Sequence, residues 1–353
     1  MKQFISFGSI KQFNEVARDV NHMAKYNGLD EKDKPIYKNI ENPKLIAIGS
    51  EKIHGTNFTI AYNEIDGIWY QSRNDIITPE KDNAGSAFFA EANKETFISI
   101  IKSLAKEYTI DLKQNTIVVC GEWAGMGIQK KAAVEGLSKR YFLFQHFKVA
   151  PIDEEARIKG TYWEETKIQG QWIDNTEKSI YNIMNFPIYE MEIDFENPKL
   201  YINKMVDLVQ EIEKNSPVGQ TFGIQNNIGE GVVFTIKYKG VVLKWKVKGE
   251  EHSKTKVKQL KAVDNEKEQI KIDIANKVTP AWRLEQMYDL SNDIINGGVP
   301  TIEKISDFLK MVIKDILKEE MSLLVENGLE IKDISSKVSK IARIWYLEQL
   351  QNL

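Results

Sequence analysis

The sequence predicts an α+β protein, in which a large domain with antiparallel sheets is followed by a small all-α domain. Three observations support this prediction. From Leu45 to Lys248, short apolar runs alternate with Gly and Asn, a pattern typical of strands and turns. Two segments with helical spacing interrupt those runs. Beyond Gly249 a charged stretch leads into long amphipathic segments. We therefore expect domains at residues 1–250 and 251–353.

The strands and helices follow from the spacing of apolar residues. The predicted strands are KLIAIGS, NFTIAYN, IWYQSR, TIVVCGEW, RYFLFQHFKV, EGVVFTIKYKG and VVLKWKVK. The helices of the first domain are expected to bury Phe88, Phe97, Ile101 and Leu104, and then Ile202, Met205, Val209 and Ile212. Those of the second are expected to bury Ile302, Ile305, Leu309, Val312 and Ile316 before a C-cap at Gly328, and then Ile334, Val338, Ile341 and Trp345.

Composition limits the classes of function. The 353 residues carry a net charge of -3, so the protein is no polycation and a nucleic-acid surface must be local. The single cysteine, Cys120, ends an apolar run, which excludes a disulfide framework or a cysteine zinc site and predicts a buried thiol. The N-terminus has no signal-peptide core, and no apolar run is long enough to span a membrane. We expect a monomer in the cytoplasm.

A row of lysines is the first chemical feature. In GVVLKWKVKG the side chains alternate, so Lys244, Lys246 and Lys248 share one face of a strand. A hairpin turn at Lys239-Gly240 would bring Glu230 close to Lys248. The face could be solvated, with a simple ion pair, or it could hold phosphates beside a metal ligand.

The other chemical signals are weak when taken singly. Lys52 lies next to a Gly-Thr-Asn turn and is either a solvated lysine or a nucleophile that a phosphate can approach. Glu122, at a strand end, suits a ligand hydroxyl or a structural turn. Arg73 could be an ordinary surface arginine, and His54 could simply satisfy a loop. The aromatic run that contains Phe144 is more typical of a core than of a base-stacking platform.

In chain order, however, the motifs form one series: KIHGTN, SRN, GEWAGMGIQ, FLFQHF, EGVVF and LKWK. The series resembles the nucleotidyltransferase motifs of the covalent ligase and capping-enzyme superfamily, and most closely the RNA ligase 2 family of bacteriophage RNA ligases and kinetoplastid RNA-editing ligases. The histidine of the first motif favours that family, because DNA ligases and capping enzymes usually have aspartate there. The resemblance covers roughly residues 45–250, and the helical tail fits only by length and character.

The resemblance implies a role for each matching position. Lys52 matches the lysine that becomes adenylated, Phe144 the aromatic that stacks on adenine, and Glu230 the acid beside the catalytic metal. Gln145 departs from the family pattern, which usually has aspartate there. The implied catalytic residues are Lys52, His54, Lys244 and Lys246. The implied nucleotide-binding residues are Glu51, Ile53, Asn57, Arg73, Glu122, Phe144, Glu230, Lys244 and Lys246.

The implied reaction is ATP-dependent joining of RNA 3′-hydroxyl and 5′-phosphate ends, with Mg²⁺, or alternatively Mn²⁺, and with nicked duplex RNA as the expected substrate. Residues 1–250 would form the adenylation domain, and residues 251–353 would bind RNA ends. Lys52 must be neutral to attack phosphorus, which cations such as Lys244 and Lys246 would favour. Two rivals stay open: a DNA ligase or guanylyltransferase, and a non-catalytic nucleic-acid-binding protein. The second would use lysines of the hairpin and of the connector from Lys254 to Lys261.

Overall fold

The computed structural model describes residues 2–82, 84–225, 227–249, 264–295 and 300–351. The strands are β1 Tyr26–Leu29, β2 Pro35–Tyr37, β3 Lys44–Glu51, β4 Thr56–Asn63, β5 Gly67–Gln71, β6 Ile76–Ile77, β7 Asn115–Ala124, β8 Arg140–Leu143, β9 His146–Pro151, β10 Tyr162–Glu165, β11 Lys167–Ile168, β12 Gln171–Trp172, β13 Ile180–Asn182, β14 Ile188–Asp194, β15 Gly231–Tyr238 and β16 Val241–Lys248. The α-helices are α1 Phe13–Lys25, α2 Ser86–Ala92, α3 Lys94–Glu107, α4 Glu154–Gly160, α5 Ile202–Lys214, α6 Pro217–Thr221, α7 Asn265–Val278, α8 Ala281–Ile295, α9 Ile305–Glu319, α10 Met321–Glu326 and α11 Ile331–Gln351.

The predicted α+β class is confirmed, with antiparallel sheets and a helical C-terminal region. The largest sheet runs β10-β9-β7-β4-β5-β6, and β8 joins it by pairing with both β7 and β13. A second sheet has the order β14-β3-β15-β16, and its neighbours are antiparallel. The pairing of β13 with β8 is parallel. Two of the pairings, β3 with β15 and β4 with β7, join distant parts of the chain and bring the motifs together.

The chain forms two compact units. The first comprises Met1–Val20, Lys44–Phe195 and Lys204–Leu260, and the second comprises Asn21–Pro43, Glu196–Asn203 and Lys261–Leu353. The division differs from a single boundary at residue 250, because Glu196 is tied to the second unit. Its carboxylate accepts a hydrogen bond from the Asn42 backbone at 3.0 Å and pairs with Lys340. The second unit also contains the β1–β2 hairpin, so it is mainly rather than wholly helical.

The core of the first unit packs helix α3 against the large sheet. Phe97, Ile101 and Leu104 are fully buried there, as predicted, and so are Phe58 and its neighbours on β4 and β7. The prediction for Phe88 is wrong, since its side chain is 69% exposed. The helix stops at Ala92 and a new one begins at Lys94, and α2 buries small residues instead. The predicted burial of Cys120 is confirmed.

The β15–β16 hairpin confirms the predicted alternation. Leu243, Trp245 and Val247 are buried, and the lysines between them occupy the opposite face. The turn residues Lys239 and Gly240 both have positive φ, at 48° and 78°, as two-residue hairpin turns require. The hairpin therefore presents Lys244, Lys246 and Lys248 on one surface.

The second unit has a separate helical core. The predicted residues Leu309, Val312, Ile316, Ile334 and Val338 are buried in it. Ile302 is 59% exposed, contrary to the prediction, because it lies in a short 3₁₀ turn before α9. Gly328 has a φ of 62° and follows the end of α10, as expected of a helix-ending glycine. Within the described ranges, none of the helices combines the length and apolar character needed to cross a bilayer.

Candidate active site

The site forms where β3 and β15 lie side by side. Glu51 ends β3, and Lys52 follows it directly. On the neighbouring strand, Glu230 comes just before Gly231, the first residue of β15. The Lys52 backbone N–H donates to the Gly231 carbonyl at 2.8 Å. This pairing fixes Lys52 beside Glu230, although the two are 178 residues apart.

The Glu230 carboxylate is the centre of the site. It is only 2% exposed, and Lys52 Nζ lies 2.6 Å from its Oε2. The same oxygen is 3.2 Å from His54 Nδ1, and the other oxygen is 2.6 Å from Lys248 Nζ. The predicted proximity of Glu230 to the Lys248 end of the hairpin is confirmed. Three nitrogen groups thus converge on one carboxylate.

These contacts keep Glu230 ionised. Burial by itself would raise its pKa, but the hydrogen bond from His54, the charge of Lys52 and the hydrogen bond from Lys248 outweigh burial. Together they lower the pKa of Glu230 well below its ordinary value. The sequence predicted that Lys52 would have cations as neighbours, yet its nearest partner here is an anion. Lys52 must therefore lose this partner, and its proton, before it can attack.

A small pocket of about 70 Å³, open to solvent, lies beside this cluster. Six of the predicted site residues line it: Glu51, Lys52, Ile53, Glu122, Phe144 and Lys244. Gln145 and two residues of the N-terminal segment, Phe7 and Ile10, complete much of the wall. His54, Asn57, Arg73, Glu230 and Lys246 are not part of this lining.

Aromatic rings form one side of the pocket. Phe144 is half-buried and its backbone N–H donates to the Cys120 carbonyl at 2.8 Å. Its neighbours Phe142 and Phe147 are fully buried, so the run divides into core residues and one pocket residue. The ring of Phe7 lies 5.4 Å from that of Phe144. Phe7 was not identified from the sequence, because the N-terminal segment carries no motif that points to this contact.

The lysine face extends the site. Lys244 Nζ lies 4.2 Å from the centre of the Trp163 ring and 5.2 Å from that of Phe7. Burial is the main cause that lowers the pKa of Lys244 to about 8. The pKa of Lys246 is also lowered, first by burial and then by the charges of Lys248, Lys52 and Arg73. The exposed Arg73 therefore lies within electrostatic range of the cluster.

The arrangement of motifs agrees with a match to a family model. A model described as RNA ligase matches residues 46–246, which is more than half of the chain and includes Lys52, Glu122, Glu230 and Lys246. The chain belongs to the RNA ligase family. The resemblance stated from the sequence is confirmed at this level, and the matched span contains every motif of the series.

Solved structures of a Naegleria gruberi RNA ligase are also similar to this chain. The ligase with PPi is 15% identical with a TM-score of 0.40, and a variant with ATP and Mn is 14% identical with a TM-score of 0.41. Each match covers 71% of this chain and 58% of the ligase. The chain thus spans less than two thirds of that protein. No curated protein matches the chain significantly.

Two predicted nucleotide-binding residues of this RNA ligase family member have side chains engaged within the protein. The Glu51 carboxylate accepts hydrogen bonds from Ser216 Oγ at 2.6 Å and from the Val218 backbone at 2.8 Å. Burial raises the pKa of Glu51 to about 7 in spite of these bonds. Asn57 Nδ2 lies 3.5 Å from the Gly121 carbonyl. If Glu51 contacts a nucleotide, it must do so while it keeps the hydrogen bonds from Ser216 and Val218.

Glu122 is the second carboxyl group of the pocket. It lies on β7 directly opposite Asn57 of β4. Burial raises the pKa of Glu122 to about 7, and the charge of Lys52 only partly opposes this effect. A carboxyl group that titrates near neutral pH can donate or accept a hydrogen bond, which suits recognition of a sugar hydroxyl.

Metal binding was predicted at Glu230. Among the residues that the structure describes, no group of three or more His, Cys, Asp or Glu side chains forms a metal site. Carboxylate oxygens of Glu230 and Glu122 are nevertheless suitable donors for a hard cation, which commonly takes its remaining ligands from substrate phosphates and water. These carboxylates could therefore hold such an ion only together with phosphate oxygens. The predicted connector from Lys254 to Lys261 lies outside the described residues.

Proposed function

We propose that this chain is an ATP-dependent RNA ligase that joins 3′-hydroxyl and 5′-phosphate ends through a Lys52–AMP intermediate. One observation carries the proposal. The Lys52 ammonium group lies at the wall of a pocket that also has an aromatic face, at Phe144, and a half-buried lysine, Lys244. A nucleophile, a base-stacking surface and a phosphate-binding cation are the parts that nucleotidyl transfer needs.

The protein would recognise ATP through its adenine base, its ribose and its phosphates. The half-buried ring of Phe144 offers a stacking surface for adenine, and base–aromatic stacking is worth about 1–3 kcal/mol. Glu122 would hydrogen-bond a ribose hydroxyl. Lys244 and Lys246 would hold the phosphates, because both are partly desolvated and lack a carboxylate within 4 Å among the described residues. The triphosphate charge would then offset the cost of burying these cations.

In the first step, Lys52 Nζ attacks the α-phosphorus of ATP. An N–P bond forms, the P–O bond to the β-phosphate breaks, and pyrophosphate leaves with the bonding electrons. Glu230 positions Lys52 beforehand, but its lowered pKa makes it a poor acceptor for the Lys52 proton. The proton therefore passes to water or to a phosphate oxygen. Lys248 and His54 keep the Glu230 charge balanced when Lys52 leaves the pair.

The second step returns Lys52 to its starting state, and the third seals the RNA. A 5′-phosphate oxygen of RNA attacks the lysyl-AMP phosphorus, forming a phosphoanhydride and breaking the N–P bond. A 3′-hydroxyl then attacks the 5′-phosphorus of RNA, forming the phosphodiester and releasing AMP. Glu230 would hold Mg²⁺ or Mn²⁺ together with phosphate oxygens, and the ion would neutralise charge on the phosphates. We propose that the second unit contributes to RNA-end binding and that the protein acts as a monomer.

The direct test uses ATP labelled at the α-phosphate and, in parallel, labelled GTP. With a divalent cation we expect acid-stable label from ATP on the protein, and sealing of nicked duplex RNA. Preference for GTP would indicate a guanylyltransferase, and sealing of nicked DNA with no activity on RNA would indicate a DNA ligase. Binding of RNA with no label from either nucleotide would overturn the proposal in favour of a non-catalytic RNA-binding protein.

A further inference from the structure

Gln145 is a pocket residue to which no role has been assigned. It lines the proposed ATP pocket directly after Phe144, the ring proposed to stack on adenine. It is also the position at which this chain departs from the family pattern, because a neutral amide stands where aspartate is usual. The contacts proposed so far hold the face of the base, the ribose and the phosphates of ATP. They leave the edge of the adenine base without a partner.

The backbone at Gln145 is held firmly. The Thr166 backbone N–H donates to the Gln145 carbonyl at 2.9 Å, and the Thr166 hydroxyl donates to the Phe144 carbonyl at 2.9 Å. Asn182 Nδ2 in turn donates to the Thr166 hydroxyl at 2.9 Å. Thr166 and Asn182 are both buried. The side chains of Phe144 and Gln145 therefore start from a fixed backbone at the wall of the pocket.

The Gln145 side chain, in contrast, has no fixed partner. It is half-buried, and in the part of the chain that the structure describes its amide makes no hydrogen bond to another residue. A polar group that is partly removed from water loses hydrogen-bonding energy unless a ligand or a water molecule pairs with it. Both the donor and the acceptor of this amide are thus available to a molecule in the pocket.

Ser50 and Thr235 are uncharged polar residues of the same lining, but each lies beside a group assigned to the phosphate chemistry. Ser50, on β3, comes two residues before Lys52. Thr235 pairs directly with Lys244 across the β15–β16 hairpin. Of the three, Gln145 is the residue next to the stacking ring, so it is the best placed to meet the base.

The amide of Gln145 matches adenine chemically. A glutamine amide presents a donor and an acceptor side by side, and the 6-amino group of adenine lies beside ring nitrogens that only accept. The amide oxygen can accept from the amino group while the amide nitrogen donates to the adjoining ring nitrogen. A carboxylate could make only the first of these bonds. Its charge would also repel the triphosphate that Lys244 and Lys246 are proposed to hold.

We propose that Gln145 contacts the edge of the adenine base and selects ATP by its 6-amino group. The inference deepens the proposed ligase function, on which it rests. Stacking on Phe144 is open to every base, because every base has a π-face, so stacking alone does not distinguish the purines. Gln145 is then a specificity residue that takes no part in phosphoryl transfer.

The test compares ATP with purine riboside triphosphate, which lacks only the 6-amino group. Intact-protein mass spectrometry follows attachment of either nucleotide in the presence of Mg²⁺, and its concentration dependence gives kcat/KM. Without the amino group the amide oxygen is left unpaired, so wild type should prefer ATP on the order of tenfold. Gln145→Met, of similar size but without the amide, should reduce the preference to about twofold or less. Gln145→Glu should retain most of it, because the carboxylate still accepts from the amino group, but with a higher KM for both nucleotides.

Gln114→Met is the matched control and should keep the wild-type preference. Gln114 is an exposed glutamine of the same unit, and its side chain makes no hydrogen bond within the described ranges. A wild type that uses both nucleotides equally, or a Gln145→Met variant that keeps the full preference, would overturn the inference. Loss of the preference in Gln145→Glu as well would show that an acceptor at this position does not contact the amino group, and would equally overturn it.

Equilibrium binding of the two nucleotides without a divalent cation separates the inference from the ligase proposal. The same binding ratio decides the outcome for Gln145→Met if that variant reacts with neither nucleotide. If wild type binds ATP preferentially through Gln145 but becomes labelled by neither nucleotide, the inference stands and the ligase proposal fails. If wild type becomes labelled equally well by both, the ligase proposal stands and the inference fails.

Discussion

Lys52 Nζ lies 2.6 Å from Glu230 Oε2, although 178 residues separate the two in the chain. Pairing of β3 with β15 creates this contact, since Val232 lies opposite Glu51 and Val233 opposite Ser50. The ion pair fixes the position of Lys52, but the ammonium group cannot attack phosphorus while it is bound to Glu230. We therefore expect the ion pair to break before catalysis.

Replacement of Glu230 tests this view of the ion pair. Glu230→Gln removes the charge that holds Lys52, His54 and Lys248 together, so we expect lysyl-AMP formation to fall about 100-fold or more, with the fold retained. Lys52 and Lys248 are 19% and 30% exposed, so water can solvate both once the carboxylate is gone. Circular dichroism and a Mg²⁺ titration of the labelling rate are the measurements. Unfolding of the variant would show that Glu230 is mainly structural.

Lys248 is predicted to position Glu230. Its Nζ is the donor to Glu230 Oε1, and loss of that donor would let the carboxylate turn further toward Lys52. Lys248→Met should lower the labelling rate about tenfold, a loss typical of one charge-assisted hydrogen bond, and Lys248→Arg should restore much of it. Lys237→Met provides the control, because Lys237 is exposed on the same hairpin. Equal rates for Lys248→Met and wild type would exclude this role.

The aromatic wall should determine ATP affinity. We expect Phe144→Ala and Phe7→Ala each to raise the KM for ATP about tenfold, since each removes a ring that lines the pocket. Phe4→Ala is a control near Phe7, because Phe4 is an exposed aromatic of the same segment. Steady-state labelling over a range of ATP concentrations gives the values. An unchanged KM for ATP in Phe144→Ala would show that Phe144 does not stack on adenine.

The buried Glu51 should make stability depend on pH. Its folded-state pKa of about 7 lies above the ordinary value of 4.5, so the folded state retains a proton that the unfolded chain has lost. The unfolding free energy of wild type should therefore fall as pH rises from 4.5 through 7, by about 3 kcal/mol from this group.

Glu51→Gln should abolish this part of the pH dependence, because the amide cannot ionise, while its oxygen can accept from the Val218 N–H and its NH2 group can donate to Ser216 Oγ. Urea unfolding of both proteins at pH 5 and pH 8 measures the difference. Equal losses of stability in the two proteins between those pH values would contradict this role of Glu51.

Patterns local in sequence predicted much of the site. Alternation along one strand and a two-residue turn were enough to place three lysines on one face and Glu230 near Lys248. Contacts between distant segments were not predictable in this way. The positions of Phe7 and Trp163 around Lys244 depend on where the N-terminal segment and β10 pack. No periodicity in either segment indicates that packing.

Breaks between helices explain why the burial of two apolar residues was predicted incorrectly. The exposed Phe88 and Ile302 had correct apolar spacing, but each belongs to a separate short element ahead of the main helix. The second unit gathers residues 21–43 and 196–203 through tertiary contacts such as that of Glu196 with Asn42. Local sequence patterns do not predict such contacts.

The central claim is that Lys52 carries the AMP, and peptide mapping of the labelled protein tests it most directly. After incubation with ATP and Mg²⁺, mass spectrometry should find one AMP on the peptide that contains Lys52. Lys52→Ala and Lys52→Arg should carry none and should not seal RNA, while remaining folded by circular dichroism. AMP on another residue of wild type, or normal labelling of Lys52→Ala, would contradict the account.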